Sequence, residues 1–561
     1  MEYVYVLLVL GLVIGLGIFL NRLSFRFKLP ALILFIGLGL IFGAIFRLTN
    51  IGNFTDYDLG NIVCSIALIF IIFYGGFGTN IKTAKPVLGK SIALSFLGTA
   101  LTAIITGFGV YLIFRVLPFM EVGLLESFLV GSVIASTDAA SVFDILRRRK
   151  LNLKYHTASL LEVESGSNDP MAYILTFLFV VLIASEKGLQ GFENIGVGSV
   201  VLSFFMQLIL GIAFGLIFGF GGAWILKRFG NRFKQMSSLF ILAIAVLSFA
   251  VPQSIPMLYS GNGYLSAYLA GIIIGNTKLN NKKESVIFFD SLTSIAQMLI
   301  FFLLGLLATP EWLIQPEVIV PAILIFLVIT LISRPLSVFG VLAPFKSKVR
   351  QMALVSSCGL RGVASIVFAI FAMSNLGQDN LPYDLFSIVF LVCLFSLIFQ
   401  GSILPFLSEK LKMISPHDDV MKTFSDYSDE TNISFIEMDI NKNHPYCDKA
   451  LKDCVTSKEF LIVLVVRNGT AFVPNGNTVI QENDKLICSA PSFSNAKGVE
   501  MEEVDVTRNH PFCKKEIKEL SLPKGELIAL IKRKENNVVP DGNTKILPGD
   551  VLVTIKVNKV N

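Results

Sequence analysis

Residues 158–184 read ASLLEVESGSNDPMAYILTFLFVVLIA, an apolar run long enough to cross a bilayer as a helix, with ionisable residues in its first half. Ionisable side chains are costly within a membrane and usually serve a function there. The run therefore predicts a membrane helix that carries a polar site. The candidate site residues on it are Glu162, Glu164, Ser165, Asn168 and Asp169.

The composition of the whole chain agrees with this prediction. The chain has 561 residues, of which 53% are hydrophobic and 16% are charged, whereas about a quarter of the residues are charged in average soluble domains. The first apolar run lacks a basic flank and a small-residue cleavage site, so it is predicted to be a span and not a signal peptide. The net charge of +6 is concentrated in loops, which favours an oriented membrane protein over a nucleic-acid-binding one.

Thirteen apolar segments fit membrane spans, numbered here in chain order. The loops that follow odd-numbered spans hold 21 basic residues, and the loops that follow even-numbered spans hold three. Because basic residues mark cytoplasmic loops, this alternation predicts an external N-terminus and a cytoplasmic tail, in the cell (plasma) membrane. The spans cover residues 3–20, 30–47, 61–79, 88–114, 125–146, 158–184, 197–226, 236–251, 261–277, 286–308, 314–339, 351–374 and 384–408.

The thirteen spans also predict an internal symmetry. Spans 1–6 and 8–13 form two candidate inverted repeats of six helices, joined by span 7. In secondary transporters built this way, the binding site lies at broken helices in equivalent positions. The fifth span of each repeat is interrupted by small and polar residues, so spans 5 and 12 are predicted to be broken. These residues are Ser132, Ser136, Thr137 and Asp138 in span 5, and Ser356, Ser357, Gly359 and Gly362 around Arg361 in span 12.

The spacing on span 6 indicates a chemistry. On a helix, Glu164 stacks with Asn168 and Ser165 stacks with Asp169, while Glu162 lies on the side of the second pair. Monovalent cations and protons both bind oxygen atoms, and burial favours the neutral form of a carboxyl group unless a cation is present. Proton and cation would then compete for one carboxylate, which is the physical basis of antiport. The alternative is that these polar groups only hold helices together or cap broken ones.

Two arginines lie in apolar spans. Arg361 is predicted to neutralise a carboxylate of span 6, either Glu164 or Glu162, because an unpaired charge at mid-membrane is prohibitive. Arg361 and Glu162 are therefore counted as structural partners of the site. Arg334 lies nearer the cytoplasmic end of span 11, where its side chain is predicted to reach the membrane surface.

The chain becomes polar after Lys412 and then repeats itself. Residues 437–488 align without a gap on residues 503–554, with 21 identities in 52 positions at a spacing of 66. One copy is too small for a large core, so the two copies are expected to pack on each other or on a partner subunit. The predicted domains are a transmembrane domain at 1–410, a linker at 411–432, and tail domains at 433–496 and 497–561.

Each tail copy predicts a small α/β unit. The order is a strand, a short helix (446–454 or 512–520), an apolar strand (460–466 or 526–532), a turn at a Gly-Asn pair and a last strand. His444 with Cys447, repeated by His510 with Cys513, resembles half of a zinc site. No second ligand pair lies nearby, so no metal is predicted. The tail contains no GxGxxG, so a Rossmann dinucleotide site is not supported.

Three stretches carry a resemblance to a known family. Ser136-Thr137-Asp138-Ala139-Ala140, the segment 162–170 and Gly359-Leu360-Arg361-Gly362 resemble bacterial cation/proton antiporters of the NhaP type, within the monovalent cation/proton antiporter superfamily. The similarity covers residues 1–410. It implies thirteen spans, crossed broken helices 5 and 12, a homodimer and elevator-like alternating access. It also implies that Asp169 carries cation and proton with help from Thr137, Asp138, Glu164 and Ser165, and that Asn168 and Arg361 are structural partners.

The resemblance also bears on the ion and on the tail. An Asn-Asp pair at 168–169 goes with electroneutral exchange in this superfamily. Ala139 stands where many members have proline, which is similar to the potassium/proton branch but leaves sodium open. The tail copies resemble tandem RCK C-terminal (TrkA-C) domains, which bind regulatory ligands. A nucleotide such as cyclic di-AMP is the first candidate ligand, and cytosolic pH or nucleotide charge is the second.

Two other classes of protein remain open from the sequence. An RCK-gated potassium channel would share the tail, but no TVGYG-like filter is found, and buried titratable groups fit coupling better than conduction. A sensor anchored by its membrane part would need one or two spans and no carboxylates inside them. An antiporter, and not an enzyme, is the prediction that best fits the residues.

Overall fold

The computed structural model describes most of the chain, with gaps at both ends and in several loops. The described residues are 11, 13–17, 19–20, 31–49, 57–117, 121–148, 151, 153–189, 192, 195–229, 236–256, 259–277, 282–414, 433–442, 444–454, 461–467, 470–491, 499–506, 510–513, 515–520, 526–533, 536–538, 540 and 542–557.

The chain divides into two compact units, Met1–Ser428 and Asp429–Asn561. In the first unit, a helix is found at each segment predicted as spans 2–13. Of span 1, residues 3–10 lie outside the described residues, and the described ones between 11 and 20 are helical. The unbroken helices are Ala31–Thr49, Tyr57–Gly78, Leu88–Val116, Thr157–Glu186, Val197–Phe229, Ser237–Gln253, Gly263–Gly275, Lys282–Leu307, Pro316–Leu342 and Leu385–Lys410, with short turns of helix at Ile81–Ala84, Pro310–Leu313 and Gln378–Asn380.

Within the described residues, seven helices are long and apolar enough to cross a membrane, and five more are shorter apolar helices. The chain is thus a helical membrane protein. The number of thirteen crossings and the inverted repeats stay predictions.

Spans 5 and 12 are broken, as the sequence predicts. Span 5 consists of Leu124–Val133 and Ala139–Arg148, and span 12 consists of Val349–Ser357 and Val363–Leu376. Helix ends inside a membrane leave backbone groups without helical partners, and these groups must be satisfied by neighbouring protein. The two breaks therefore need polar surroundings within the apolar unit.

Three other spans contain a π-helical turn, at Leu94–Gly98, Ile329–Ser333 and Ser396–Gln400. Such turns insert one residue into a helix and are often found at functional sites. They lie in spans 4, 11 and 13. Each shifts the helical face that follows it, so the face cannot be read from a regular 3.6-residue period.

Span 6 is the most enclosed of the seven long helices. In its most apolar window, 72% of the residues are buried, compared with 28% for span 7. Spans 3 and 9 pack backbone against backbone, because a Cβ at Gly271 would lie 2.4 Å from the carbonyl oxygen of Phe73. Small residues allow such close packing of membrane helices. Of the candidate site residues on span 6, Glu164 and Asn168 are buried, and Glu162, Ser165 and Asp169 are half-buried.

The tail forms two four-stranded sheets of the same topology. All described pairings are antiparallel, with the strand orders β1-β4-β2-β3 and β5-β8-β6-β7. The strands are β1 Ile433–Asp439, β2 Leu461–Arg467, β3 Thr470–Phe472, β4 Lys485–Pro491, β5 Val499–Asp505, β6 Glu526–Arg533, β7 Asn536–Val538 and β8 Asp550–Val557.

The predicted tail helices at 446–454 and 512–520 are wrong. The described residues of these segments contain only the 3-10 turns Leu451–Asp453 and Ile517–Glu519. The main chain bonds across to the Gly-Asn turn instead: the Lys452 N–H donates to the Gly476 carbonyl, and the Lys518 N–H donates to the Gly542 carbonyl, both at 2.9 Å. Hydrogen bonds to a distant segment of the same chain stand in place of the helical hydrogen bonds that the sequence pattern predicts.

Each sheet carries the same ion pair. Arg467 donates to both carboxylate oxygens of Asp484 at 2.8 and 2.7 Å, and Arg533 does the same to Asp550 at 2.9 and 2.8 Å. Both aspartates are buried. The Arg467 hydrogen bonds hold the pKa of Asp484 below its usual range. The ion pair is therefore structural. It joins the end of β2 to the residue before β4 in the first sheet, and β6 to the start of β8 in the second.

Candidate ion-binding site

The site begins where the two broken helices cross. The N–H of Asp138, at the break in span 5, donates to the carbonyl of Leu360, at the break in span 12, at 2.8 Å. A Cβ at Gly362 would lie 2.3 Å from Oδ2 of Asp138. Glycine at 362 therefore permits the close approach of the two breaks.

Span 6 braces the break in span 5. The hydroxyl of Ser165 donates to the carbonyl of Thr137 at 2.8 Å and accepts from the N–H of Ala139 at 2.9 Å. One side chain thus satisfies backbone groups on both sides of Asp138. Ser165, predicted as an ion-binding residue, has its hydroxyl committed to these two contacts.

Asp169 faces the same break. The hydroxyl of Ser136 donates to Oδ1 of Asp169. The Asp169 side chain is half-buried, and it lies one turn along span 6 from Ser165. The structure therefore brings the predicted carrier carboxylate to the crossing of the broken helices.

Asp138 bonds to the helix that follows it. Its Oδ2 accepts from the hydroxyl of Ser141 at 2.6 Å, and its Oδ1 accepts from the Ser141 N–H at 3.3 Å. This is the pattern of a residue capping a helix N-terminus. Asp138 thus stabilises the second half of span 5 and presents a second carboxylate at the crossing.

Glu164 is held in a fully buried network. Arg334 Nη2 donates to its two oxygens at 3.1 and 3.0 Å, and both side chains are 1% exposed. Asn168 Nδ2 donates to Glu164 Oε1 at 3.1 Å and to Thr137 Oγ1 at 2.6 Å. Thr137 Oγ1 lies 3.4 Å from both Glu164 oxygens. Glu164, Asn168 and Thr137 therefore form one connected unit anchored by an arginine.

The prediction for Arg334 is wrong. Its side chain does not reach the membrane surface but lies buried against Glu164. Arg334 directly follows the π-helical turn Ile329–Ser333, and such a turn changes the face that the following residues occupy. A lone arginine in an apolar run was nevertheless a signal for a buried partner.

The predicted pairing of Arg361 is also wrong. Within the described residues, Arg361 forms no ion pair with Glu164 or Glu162, because Arg334 occupies Glu164. Its Nη1 donates instead to the carbonyls of Ala135 at 2.7 Å and Ser136 at 2.8 Å. These carbonyls follow the first half of span 5, where the helix dipole is negative. Arg361 thus neutralises a broken helix end, and Glu162 lies half-buried on span 6.

Three residues that the structure places at the site are not among the predicted site residues. Ser136 contacts Asp169, Ser141 contacts Asp138 and Arg334 contacts Glu164. The two serines gave no separate signal, because hydroxyls are common at helix breaks. All three act through the acidic residues that the sequence singled out.

The arrangement suits a small cation that exchanges with protons. Carboxylate and hydroxyl oxygens from spans 5 and 6 converge at the crossing, and oxygen atoms are the ligands that hard cations prefer. Among the described residues, no group of His, Cys, Asp and Glu has the arrangement of a metal site.

Broken helices with carboxylates at their meeting point are typical of secondary transporters. The model of the transmembrane sodium/hydrogen exchanger family matches residues 7–410, and the TrkA-C domain model matches residues 435–492 and 501–555. The chain therefore belongs to the sodium/hydrogen exchanger family of cation/proton antiporters and carries two TrkA-C domains.

Individual relatives agree with this assignment. The chain is 30% identical to the K(+)/H(+) antiporter NhaP of Alkalimonas amylolytica over 487 residues, which cover 86% of this chain and 80% of that protein. It is also 30% identical to the K(+)/H(+) antiporter NhaP2 of Shewanella sp. (strain ANA-3) over 488 residues, or 85% and 79% of the two chains. The sodium proton antiporter MjNhaP1 of Methanocaldococcus jannaschii shares the fold, with a TM-score of 0.63 and 23% identity over 73% of this chain and 99% of that chain.

Proposed function

We propose that this protein exchanges a monovalent cation, K⁺ in preference to Na⁺, for a proton across the cell membrane. The observation that carries the proposal is the position of Asp169 at the crossing of the broken helices, bonded to Ser136. Glu164 is occupied by Arg334, and Asp138 bonds Ser141. Asp169 is thus the acidic group best placed to exchange one bound ion for another.

The exchange is proposed to be electroneutral. Asn168, the neighbour of Asp169, is a neutral amide and is buried in the Glu164 network. One carboxylate binds either one proton or one cation, so each cycle moves one positive charge in each direction. The net charge carried across the membrane is then zero.

The preference for K⁺ rests on similarity. Two relatives at 30% identity are named K(+)/H(+) antiporters, and Ala139 follows the Thr-Asp motif. The protein is proposed to act as a homodimer, with the N-terminus outside and the tail in the cytoplasm. The tail is proposed to regulate transport by binding a small ligand, with a nucleotide such as cyclic di-AMP as the first candidate.

The carrier role of Asp169 is tested by Asp169→Asn in proteoliposomes with a pH-sensitive dye inside. Gradients of K⁺, Na⁺, Rb⁺ and Li⁺ are imposed in turn, and K⁺ is expected to drive the fastest proton flux. Asp169→Asn is expected to abolish the flux and to leave the detergent-purified protein folded, because it removes the titrating group and little volume. Normal cation-driven flux in this variant would refute the mechanism.

A matched control exists on span 10. Asp290 is an exposed carboxylate in that helix and accepts a hydrogen bond from Tyr74 at 3.2 Å. Asp290→Asn makes the same chemical change in a membrane helix away from the crossing, and this variant is expected to keep cation–proton exchange.

The same assay tests the alternative of a channel. Passage of K⁺ without proton movement in the unmodified protein would indicate a channel.

A further inference from the structure

The residues that lead from span 13 towards the tail are attached to the loop before span 6. The Lys154 N–H donates to the Met413 carbonyl at 2.8 Å, and Leu153 forms an antiparallel bridge with Ile414. Lys154 Nζ also donates to the Lys412 carbonyl at 3.2 Å. We call residues 153–157 with 412–414 the tether junction.

Both sides of the tether junction are anchored in the membrane unit. The Met413 side chain is fully buried, and the Met413 N–H donates to the Ser408 carbonyl at 3.0 Å. Met413 and Leu153 belong to one apolar cluster with residues of both broken spans, Val142 of span 5 and Val355 of span 12. A displacement of residues 412–414 therefore changes the packing of side chains in this cluster.

The tether junction is also bonded to the start of span 12. Gln351 donates to the Tyr155 carbonyl and to Thr157 Oγ1, both at 3.2 Å. Lys348 donates to the Tyr155 hydroxyl at 3.1 Å and lies 4.2 Å from the ring centre. The junction thus joins the first half of span 12 to the first residue of span 6. The break in span 12 carries Arg361, and span 6 carries Asp169.

The backbone of the tether junction is unusual. Tyr155, His156 and Lys412 have φ values of 60°, 53° and 55°, in the left-handed region that residues other than glycine seldom adopt. Residues in such conformations persist only where their surroundings hold them, and they cluster at switch regions. Lys412 follows the C-cap of the span 13 helix and His156 is the N-cap of span 6, so both helix ends at the junction are fixed by tightly held turns.

We infer that the tether junction is the point through which the tail regulates transport. The inference rests on the proposed function, in which the tail is regulatory. A state of the tail that pulls on residue 414 changes the Lys154–Met413 contact, and through it the start of spans 6 and 12. A tail ligand shifts the transport equilibrium only as far as it distinguishes the two arrangements of this contact.

The experiment is a cycle of four proteins in proteoliposomes, all assayed for K⁺-driven proton flux. They are the full chain, the chain ending at Ile414, the full chain with Met413→Ala, and the Met413→Ala chain ending at Ile414. The transmembrane family match ends at residue 410, and 99% of the MjNhaP1 chain matches 73% of this one, so the membrane unit is expected to fold without the tail.

The expected result is non-additive. Ending the chain at Ile414 changes the flux by some factor, and Met413→Ala in the full chain changes it by about the same factor. Removing the tail from the Met413→Ala protein then has no further effect. The matched control is Leu404→Ala, a fully buried residue of the same cluster on span 13, which is expected to leave the effect of tail removal intact.

A second variant covers the case that Met413→Ala does not fold. A Gly-Ser-Gly insertion after Ile414 changes no residue of the tether junction and lengthens the chain between the junction and the tail. It is expected to abolish the effect of tail removal. Additive effects of junction and tail changes would overturn this inference alone, whereas a flux unaffected by tail removal would overturn the regulatory role as well. Absence of K⁺-driven proton flux in the full chain would overturn the antiport itself.

Discussion

Replacing Arg334 by methionine tests the buried network behind the site. Arg334 and Glu164 are each 1% exposed and are joined by two hydrogen bonds of 3.1 and 3.0 Å. Arg334→Met keeps most of the side-chain volume and leaves the Glu164 carboxylate buried without its cation. Breaking a buried ion pair in this way costs about 3–5 kcal/mol. Asn168 still donates to Glu164 at 3.1 Å, so the cost is expected at about 3 kcal/mol, the lower end of that range.

The assay is thermal inactivation of the purified protein in detergent, followed by size-exclusion chromatography. Arg334→Met is expected to lower the apparent melting temperature by several degrees. Adding Glu164→Gln removes the unpaired charge, so the double variant is expected to recover most of the loss. Arg361→Met is also expected to destabilise, because the Ala135 and Ser136 carbonyls lose their donor, but Glu164→Gln is not expected to rescue it.

The rescue pattern separates the two arginines. If Arg334→Met were as stable as the unmodified protein, Glu164 would not depend on Arg334. If Glu164→Gln rescued Arg361→Met and failed to rescue Arg334→Met, the pairing described above would be reversed.

Three more predictions concern the crossing, the stoichiometry and the tail. Gly362→Ala places a Cβ 2.3 Å from Asp138 Oδ2 and is expected to abolish cation-driven proton flux. Flux through the unmodified protein is expected to be the same at imposed potentials of either sign, since exchange is one-for-one. Arg467→Ala is expected to speed amide hydrogen exchange in the first tail sheet above about pH 4, because the Arg467 bonds hold the pKa of Asp484 below its usual value. That difference from the unmodified protein is lost as the pH falls through the lowered pKa, where Asp484 is neutral.

Controls follow from the same structure. Gly340 of span 11 has nothing within 4 Å of an added Cβ, so Gly340→Ala is expected to keep flux. Arg533→Ala is expected to affect the second tail sheet in the same pH range; burial alone would raise the pKa of Asp550, and the Arg533 bonds hold it low. Retained flux in Gly362→Ala would contradict the first prediction, and a flux that depends on voltage would contradict the second. Equal rates of amide hydrogen exchange in Arg467→Ala and in the unmodified tail would contradict the third.

The positions of the membrane helices and of both breaks could be predicted from the sequence. Apolar length sets where a helix crosses lipid, and small polar residues such as those around Asp138 and Arg361 mark where it stops. The repeat in the tail was also readable, because a 66-residue spacing brings Arg467 and Asp484 into register with Arg533 and Asp550. These features depend on local composition and on self-similarity.

The pairing of the charged groups could not be predicted in the same way. Which arginine reaches Glu164 depends on the rotation of span 11 about its axis, and the π-helical turn before Arg334 changes that rotation without an apolar signature. The helix predictions for the tail segments near Lys452 and Lys518 were wrong for a related reason. The backbone partners of these residues, Gly476 and Gly542, are distant in sequence. Contacts between separate elements decided both cases.

The contact between the two broken helices has a consequence for genetics. Its central bond runs from the main-chain N–H of Asp138 to the main-chain carbonyl of Leu360, and no exchange among the ordinary non-proline residues deletes either group. A library of point variants would therefore attribute the crossing to its neighbours, above all to Gly362, and overlook the bond itself. Only replacing the amide at 138 by an ester, through chemical synthesis or an expanded genetic code, would remove that one donor and show what it contributes.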